Sequence, residues 1–215
     1  MNIASPLPPD LKLRYLDWKK NTFPGKQPTY RYLVEQGQAP LAMVISCCDS
    51  RVQATSIFES DIGEFFIHRN IANLVPPFSL SGDNLGTSAA IEYAVTALNV
   101  SHIIILGHSN CGGVKGCDQM CSGKAPELEK ETSFVGRWVD LLRPAYERVD
   151  HTKSKEDQLR ALEHEGIIMS MENLMTFPFV QDAVRTAELS IHGLWHDISE
   201  GNLLFYNGEV FEPID

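Results

Sequence analysis

Apolar positions along the chain follow two rhythms. Leu11, Tyr15 and Trp18 fall at i, i+4 and i+7 behind Pro8-Pro9-Asp10, the spacing of one helix face, and predict a helix that ends near Phe23-Pro24-Gly25. A shorter helix over Tyr30 to Gln36 stops at Gly37. The rhythm then changes: Leu41 to Ile45 is an unbroken apolar run of strand length, which suits a strand buried on both faces of a parallel sheet. The same signal returns at Phe65-Phe66-Ile67 and at Ile103 to Leu106. Between them Thr87 to Leu98 reads as a helix with Ala90, Ile91, Ala94, Val95 and Leu98 on one face. Strand, helix, strand implies βαβ units. Two longer helices follow, Ser133 to Val149 with a bend at Pro144 and Lys155 to Met175. After a strand at Leu189-Ser190-Ile191 comes a hairpin, Leu203 to Tyr206 and Glu209 to Phe211, around Asn207-Gly208 as a type I′ turn. The predicted fold is α/β, a mostly parallel β-sheet flanked by helices. No linker or repeat divides it: residues 1–37 form an N-terminal helical arm and 38–215 the α/β core of one domain.

Composition narrows the function classes. A chain of 215 residues fits one domain and can bury a full core, so a metal or disulfide is not needed merely to hold it together. With 43% hydrophobic and 21% charged residues it is neither disordered nor fibrous. The net charge of −10 repels polyanions, which argues against nucleic acid or an anionic membrane as partner. No run approaches the ~20 apolar residues of a membrane span, and Met1 to Pro9 lacks a basic-then-apolar leader, so the expected location is cytoplasmic. There, five cysteines read as ligands, nucleophiles or buried apolar groups rather than a disulfide framework.

In open α/β sheets the chemistry lies beyond the carboxyl ends of the strands. Two apolar runs lead there into unusual residues: Ile45-Ser46 into Cys47-Cys48-Asp49-Ser50-Arg51, and Leu106-Gly107 into His108-Ser109-Asn110-Cys111-Gly112-Gly113. Cys47, His108 and Cys111 are a soft-ligand set of the kind zinc prefers, and three ligands leave a tetrahedral ion one open position. Asp49 and Arg51 return to the face of Cys47. The carboxylate can either coordinate the metal or take a bidentate hydrogen bond from the guanidinium; if Arg51 holds it, the fourth position is free for water. Two thiolates cancel the charge of Zn²⁺, so such a water ionises less readily than at an all-histidine site, and activity is expected to rise through neutral into alkaline pH. The remaining candidates have simpler readings. Cys48 is expected to point away as a small buried hydrophobe, and Cys117 and Cys121 to be unpaired thiols in a loop. His192 and His196 have metal-like i, i+4 spacing but fall in a strand.

The motifs C-x-D-S-R at Cys47 to Arg51 and H-x-x-C-G-G at His108 to Gly113 resemble those of the β-class carbonic anhydrases, zinc enzymes that interconvert carbon dioxide and bicarbonate. The likeness includes Phe65 to Val75 and Ala89 to Val95, and is strong from Gln38 to Lys115. It implies that Cys47, His108 and Cys111 bind Zn²⁺ and that Asp49 and Arg51 form a gating pair, with Asp49 a fourth ligand in a closed state. It further implies substrate contacts from Gln38 and from the Gly112 N–H, and an apolar pocket lined by Phe66, Ile71 and Tyr93. In the family that pocket is built between subunits, so the implied partner is a second copy, in a homodimer or dimer of dimers. Gln38 points to the open-site members.

The expected activity is therefore that of a zinc-dependent lyase, a carbonate dehydratase in which zinc hydroxide attacks carbon dioxide. Two alternatives remain open. One is hydrolysis of carbon disulfide or carbonyl sulfide on the same fold; the other is a non-catalytic bicarbonate-sensing or structural zinc protein. A thiol redox pair at Cys47-Cys48 is disfavoured, since vicinal cysteines close only a strained ring.

Overall fold

The computed structural model describes residues 3–81 and 84–214. The chain divides into two units, Met1–Gln38 and Ala39–Asp215. In the first, α1 (Pro9–Asp17) passes through a π-helical turn (Trp18–Thr22) into α2 (Phe23–Gln36), so the expected stop at Phe23-Pro24-Gly25 does not occur. Proline has no N–H to donate and its ring crowds the preceding turn; the widened π turn absorbs both defects, placing Pro24 in the first turn of α2. Tyr15, Trp18, Phe23 and Tyr30 bridge the junction, successive ring centroids lying 6.3, 5.2 and 5.6 Å apart. Gly37, at φ 85°, ends α2 where the sequence indicated.

The second unit is built on a six-stranded sheet in the order β2-β1-β3-β4-β5-β6. Its strands are β1 (Ala42–Cys47), β2 (Phe65–Asn70), β3 (His102–His108), β4 (Ser190–His196), β5 (Leu203–Tyr206) and β6 (Phe211–Pro213). The first four run parallel and the last two antiparallel, so the mostly parallel sheet is as expected. Every residue of β1 is buried, which is why the strand reads as an unbroken apolar run. Side chains alternate between two packed layers. Met43, Ile45, Ile103 and Ile105 meet helix residues Ile91, Ile167, Leu174 and Val180 on one face, while Val44, Leu106 and Leu194 meet Val52 and Ala54 on the other.

The helices of this unit are α3 (Ala54–Ile57), α4 (Leu85–Glu92, extended by a π turn at Tyr93–Ala97), α5 (Gly112–Cys121), α6 (Phe134–Val139), α7 (Arg143–Glu147), α8 (Lys155–Leu174) and α9 (Pro178–Arg185). The expected helix over Ser133 to Val149 is split by a 3-10 turn at Asp140–Leu142, just before Pro144. Cys117 and Cys121 lie on α5, not in a loop: they face each other one turn apart, Sγ to Sγ 3.8 Å. The closing hairpin is wider than a two-residue type I′ turn. Gly208 has positive φ but Asn207 does not, and the Asn207 side-chain oxygen accepts from the N–H groups of Glu209 and Val210, so β6 begins only at Phe211.

Helix α8 lies close against β3 and β4 because both strands carry a glycine beneath it. A Cβ on Gly107 would stand 2.6 Å from Ile167 Cδ1, and one on Gly193 2.6 Å from Met171 Sδ. Gly107→Ala is therefore expected to destabilise the protein by about 1–3 kcal/mol, the cost of overpacking a filled core. The urea midpoint measures it, and an unchanged midpoint would show that α8 gives way freely.

Candidate metal centre

The order β2-β1-β3-β4 sends the chain one way from β1 and the other way from β3, which opens a crevice beyond the carboxyl ends of these neighbours. Cys47 ends β1, His108 ends β3, and Cys111 is the N-cap of α5; all three are buried. Their ligand atoms lie within 4.8 Å of one another, the one such group of three or more among the described residues. Cys47 Sγ and Cys111 Sγ are 3.9 Å apart. Two thiolates at 2.3 Å from a tetrahedral ion would be separated by about 3.8 Å.

The protonation of the trio is prepared by its neighbours. His108 Nδ1–H donates to the Ser109 carbonyl at 2.9 Å, which leaves Nε2 bare and buried beside Cys47, with no well-formed hydrogen bond among the described residues. Such an orphaned nitrogen is costly unless a cation takes its lone pair. The two thiols titrate as a pair. Hydrogen bonding with Cys111 holds Cys47 well below the ordinary thiol range, with the Ala72 N–H, 3.4 Å from its sulfur, adding to this, while Cys47 pushes Cys111 up. The donor set fits a zinc ion: two thiolates and one imidazole, pre-oriented and largely withdrawn from water.

Local backbone geometry supports these ligands. Ala72 and Asn73 adopt positive φ of 63° and 50°, and the Asn70 side chain ties this turn by two 2.8 Å bonds to Leu74, aiming the Ala72 N–H at Cys47. Arg69 fixes the loop after β1, donating to the carbonyls of Cys47, Asp49 and Val52 at 2.8, 2.7 and 2.9 Å. Behind Cys111, the buried carboxylate of Glu163 on α8 accepts the Cys111 N–H at 3.1 Å and the Trp195 indole N–H at 3.0 Å; burial raises its pKa. Sequence reasoning singled out neither Arg69 nor Glu163.

Glu163→Gln places an amide N–H against one of those two donors. The variant is expected to hold its metal about 10–100 times less tightly, as when outer partners of a site are lost. Competition against a chelator reads this directly, and unchanged affinity would leave Glu163 a structural role only.

Asp49 and Arg51 form a clamp. Arg51 donates from Nε to Oδ1 at 2.9 Å, from Nη2 to Oδ2 at 2.7 Å and from its backbone N–H to Oδ1 at 3.0 Å; Nη2 also reaches the Asn110 carbonyl at 3.2 Å. Hydrogen bonding from Arg51 holds the Asp49 carboxyl far below the usual carboxylate range.

The other expected site residues separate. Gly112 opens α5, exposed, with nothing near where a Cβ would stand; Gly113 is the tight position, its Cβ falling 2.5 Å from Ile71 Cγ2. Ile71 follows Asn70, the strand partner of Cys47, and helps line an apolar cavity of about 400 Å³ with Cys48, His68, Thr87 and Trp138. Cys48 is exposed at this cavity rather than buried: beyond β1 the chain leaves the sheet, and no layer covers its side chain. Phe66 and Tyr93 pair with ring centroids 5.8 Å apart, but Phe66 lies four strand positions from the level of Cys47, about 13 Å. Gln38 is the exposed last residue of the first unit. A larger, polar cavity of about 700 Å³ between Met120, Glu129, Arg137, Asp140 and Arg143 contains none of the metal group.

Residues 42–203 match the carbonic anhydrase family. The chain is 37% identical over 195 residues to beta carbonic anhydrase 3 of Arabidopsis thaliana, covering 89% of this chain and 73% of that protein. It is 34% identical over 191 residues to a carbonic anhydrase of Synechocystis, covering 86% and 67%. Among solved structures, the β-carbonic anhydrase CcaA superposes with a TM-score of 0.86 at 29% identity, covering 96% of this chain and 91% of that one. A tetrameric β-carbonic anhydrase of Sordaria macrospora superposes at 0.74 and 28%, covering 91% and 97%. With the sheet order, the Cys-His-Cys group and these likenesses in agreement, the chain belongs to the β-class carbonic anhydrase family.

Proposed function

We propose that this chain is a zinc-dependent carbonate dehydratase that interconverts carbon dioxide and bicarbonate, with Cys47, His108 and Cys111 as the metal ligands. Family membership supports carbon dioxide hydration in general. The observation that carries the finer reading is the clamp: a carboxylate beside a three-ligand group has both oxygens engaged by Arg51, which favours a metal position left to solvent. Bound zinc would supply one thing, a lowered proton affinity of water and hence a nucleophile near neutral pH.

The chain's own residues do the rest. Asp49 stays ionised, so it can only accept; it takes a hydrogen bond from the attacking water and aims the oxygen lone pair. The charge of Arg51 and the N–H of Gly112 at the start of α5 meet the product anion. Carbon dioxide is small and apolar, and the cavity walled by Ile71, Thr87 and Trp138 offers it a dry approach. Gln38 is assigned to hold substrate through its amide.

Phe66 stands too far along the sheet to line the same chain's metal group, and Tyr93 packs against Phe66, which supports a pocket completed by a second copy. No residue of α1, the π-helical turn or α2 is buried although Leu11, Leu13, Tyr15 and Trp18 are apolar, and a partner subunit accounts for such a face. Light scattering is expected to give two or four chain masses. The compartment we infer is the cytoplasm, in keeping with five free cysteines; no helix among the described residues is long and apolar enough to cross a membrane.

The deciding experiment is stopped-flow assay of one preparation against carbon dioxide and carbon disulfide, with its metal content measured. Rapid hydration of carbon dioxide and one zinc per chain are expected. Turnover of carbon disulfide alone, or a zinc-loaded chain inert to both, would overturn the reading. Because Arg51 keeps Asp49 ionised far below neutrality, a rise of rate between about pH 7 and 9 cannot be the titration of Asp49.

A further inference from the structure

The end of the sheet opposite the metal centre carries two histidines side by side. His102 is the first residue of β3, and His192 lies two positions beyond its β4 register partner Ser190. Strand alternation sends both side chains to the face that carries Ile104, Leu106 and Leu194. His192 is exposed and His102 partly so. Nδ1 of His102 and Nε2 of His192 are 3.1 Å apart, with ring planes inclined by 48°. Among the described residues, each ring hydrogen-bonds only to the other.

That separation has a second chemical meaning. Two nitrogen donors held 2.0–2.1 Å from one cation are about 2.9 Å apart at a right angle and about 3.3 Å apart at the tetrahedral angle. The observed spacing falls between these limits. As neutral rings, one imidazole must give its N–H to the lone pair of the other; a cation instead accepts both lone pairs. We propose that His102 and His192 form a second, two-histidine metal site for a borderline divalent transition ion such as Zn²⁺, Ni²⁺ or Cu²⁺, with water filling the remaining positions. No described thiol or carboxylate joins them, so hard ions such as Mg²⁺ or Ca²⁺ are not suited and binding is weaker than at the Cys47 group. The net charge of −10 raises the local cation concentration. His102 lies about 20 Å along β3 from His108, so the two sites fill independently, and the inference does not rest on the proposed activity.

The test uses the full chain with its tight metal in place, titrated with Ni²⁺ and followed by calorimetry and by NMR of the histidine ring signals. One saturable nickel per chain is expected, with paramagnetic broadening that begins at His102 and His192. Both His102→Ala and His192→Ala should lose this equivalent while His151→Ala keeps it, and the metal content of the Cys47 group should stay unchanged. Broadening that begins at another histidine, uptake that survives both substitutions, or no saturable uptake overturns the proposal. Should a variant misfold, the wild-type broadening pattern decides alone.

Discussion

An Asp49→Asn protein is expected to fold, to load metal as its parent does, and to hydrate carbon dioxide about 10²–10⁴ times more slowly, the range seen when a positioned proton-handling group is lost. The substitution keeps the shape of the side chain but replaces one acceptor oxygen with a donor. Arg51 now meets an amide, and the site loses the group that can only accept a hydrogen bond from the attacking water. Stability should hardly change. The Arg51 side chain is 53% exposed, so solvent screens the pair and its loss weighs little on folding beside the loss of rate. Loss of rate with intact folding and metal content therefore separates the enzyme from a structural zinc protein, in which Asp49 would matter only to stability. Full activity in this variant would remove Asp49 from the mechanism.

Arg51→Ala should lose comparable activity by another route. Without the clamp, the Asp49 carboxylate is free to turn to the metal and occupy the position meant for water. In a cobalt-substituted protein the visible spectrum reports this change of donor, which Asp49→Asn cannot produce. Loss of rate in both variants with a spectral change in only one would identify the clamp as the device that keeps the acid off the metal.

The metal centre was legible in sequence because its two strands are buried on both faces and end abruptly in polar chemistry. Where strands carry functional or close-packed residues, the same signal fades. The apolar pattern marks β2 only at Phe65-Phe66-Ile67, because the strand continues through His68-Arg69-Asn70, which bond to Thr87 and to the loop and turn around Cys47. The apolar pattern marks β4 only to Ile191, because Gly193 interrupts it where Met171 and Ile167 press in. The helix that carries Cys117 and Cys121 leaves little trace in sequence, since three of its ten residues, Gly112, Gly113 and Gly116, are glycines of poor helix propensity. Gly112 and Gly113 form the first turn of α5, and Gly113 is small because Ile71 sits against it. Glu163 does carry a local sequence signal. It shares the buried stripe of α8 with Gly166, Ile167 and Ser170, a carboxylate on an apolar face, while its partners stand 52 and 32 residues away. Pairings at that distance leave no local pattern.

Acid is expected to weaken the fold through His164 by about 2–3 kcal/mol between pH 6.5 and 4. Its ring stacks on Phe211 with centroids 4.1 Å apart and meets Trp195 edge-on at 5.2 Å, and its Nε2 is buried without a partner. Burial, helped by the charge of Arg160, lowers its pKa to about 4. In the unfolded chain the same imidazole titrates near 6.5. Above that value the ring is neutral in both states and pH has no effect through it. Between 6.5 and 4 the unfolded chain takes up a proton that the folded one refuses, so stability falls as pH falls, by up to about 1.4 kcal/mol per unit. Protonation of the metal ligands also destabilises in acid, so the measurement must be a difference. His164→Phe keeps the aromatic stack and removes the titration. Urea midpoints from about pH 7.5 to 4.5 should fall less steeply in this variant than in the parent, the two curves meeting near neutrality. Parallel curves would mean that His164 is protonated within the folded protein, and that its pocket admits the charge the surrounding rings are arranged to refuse.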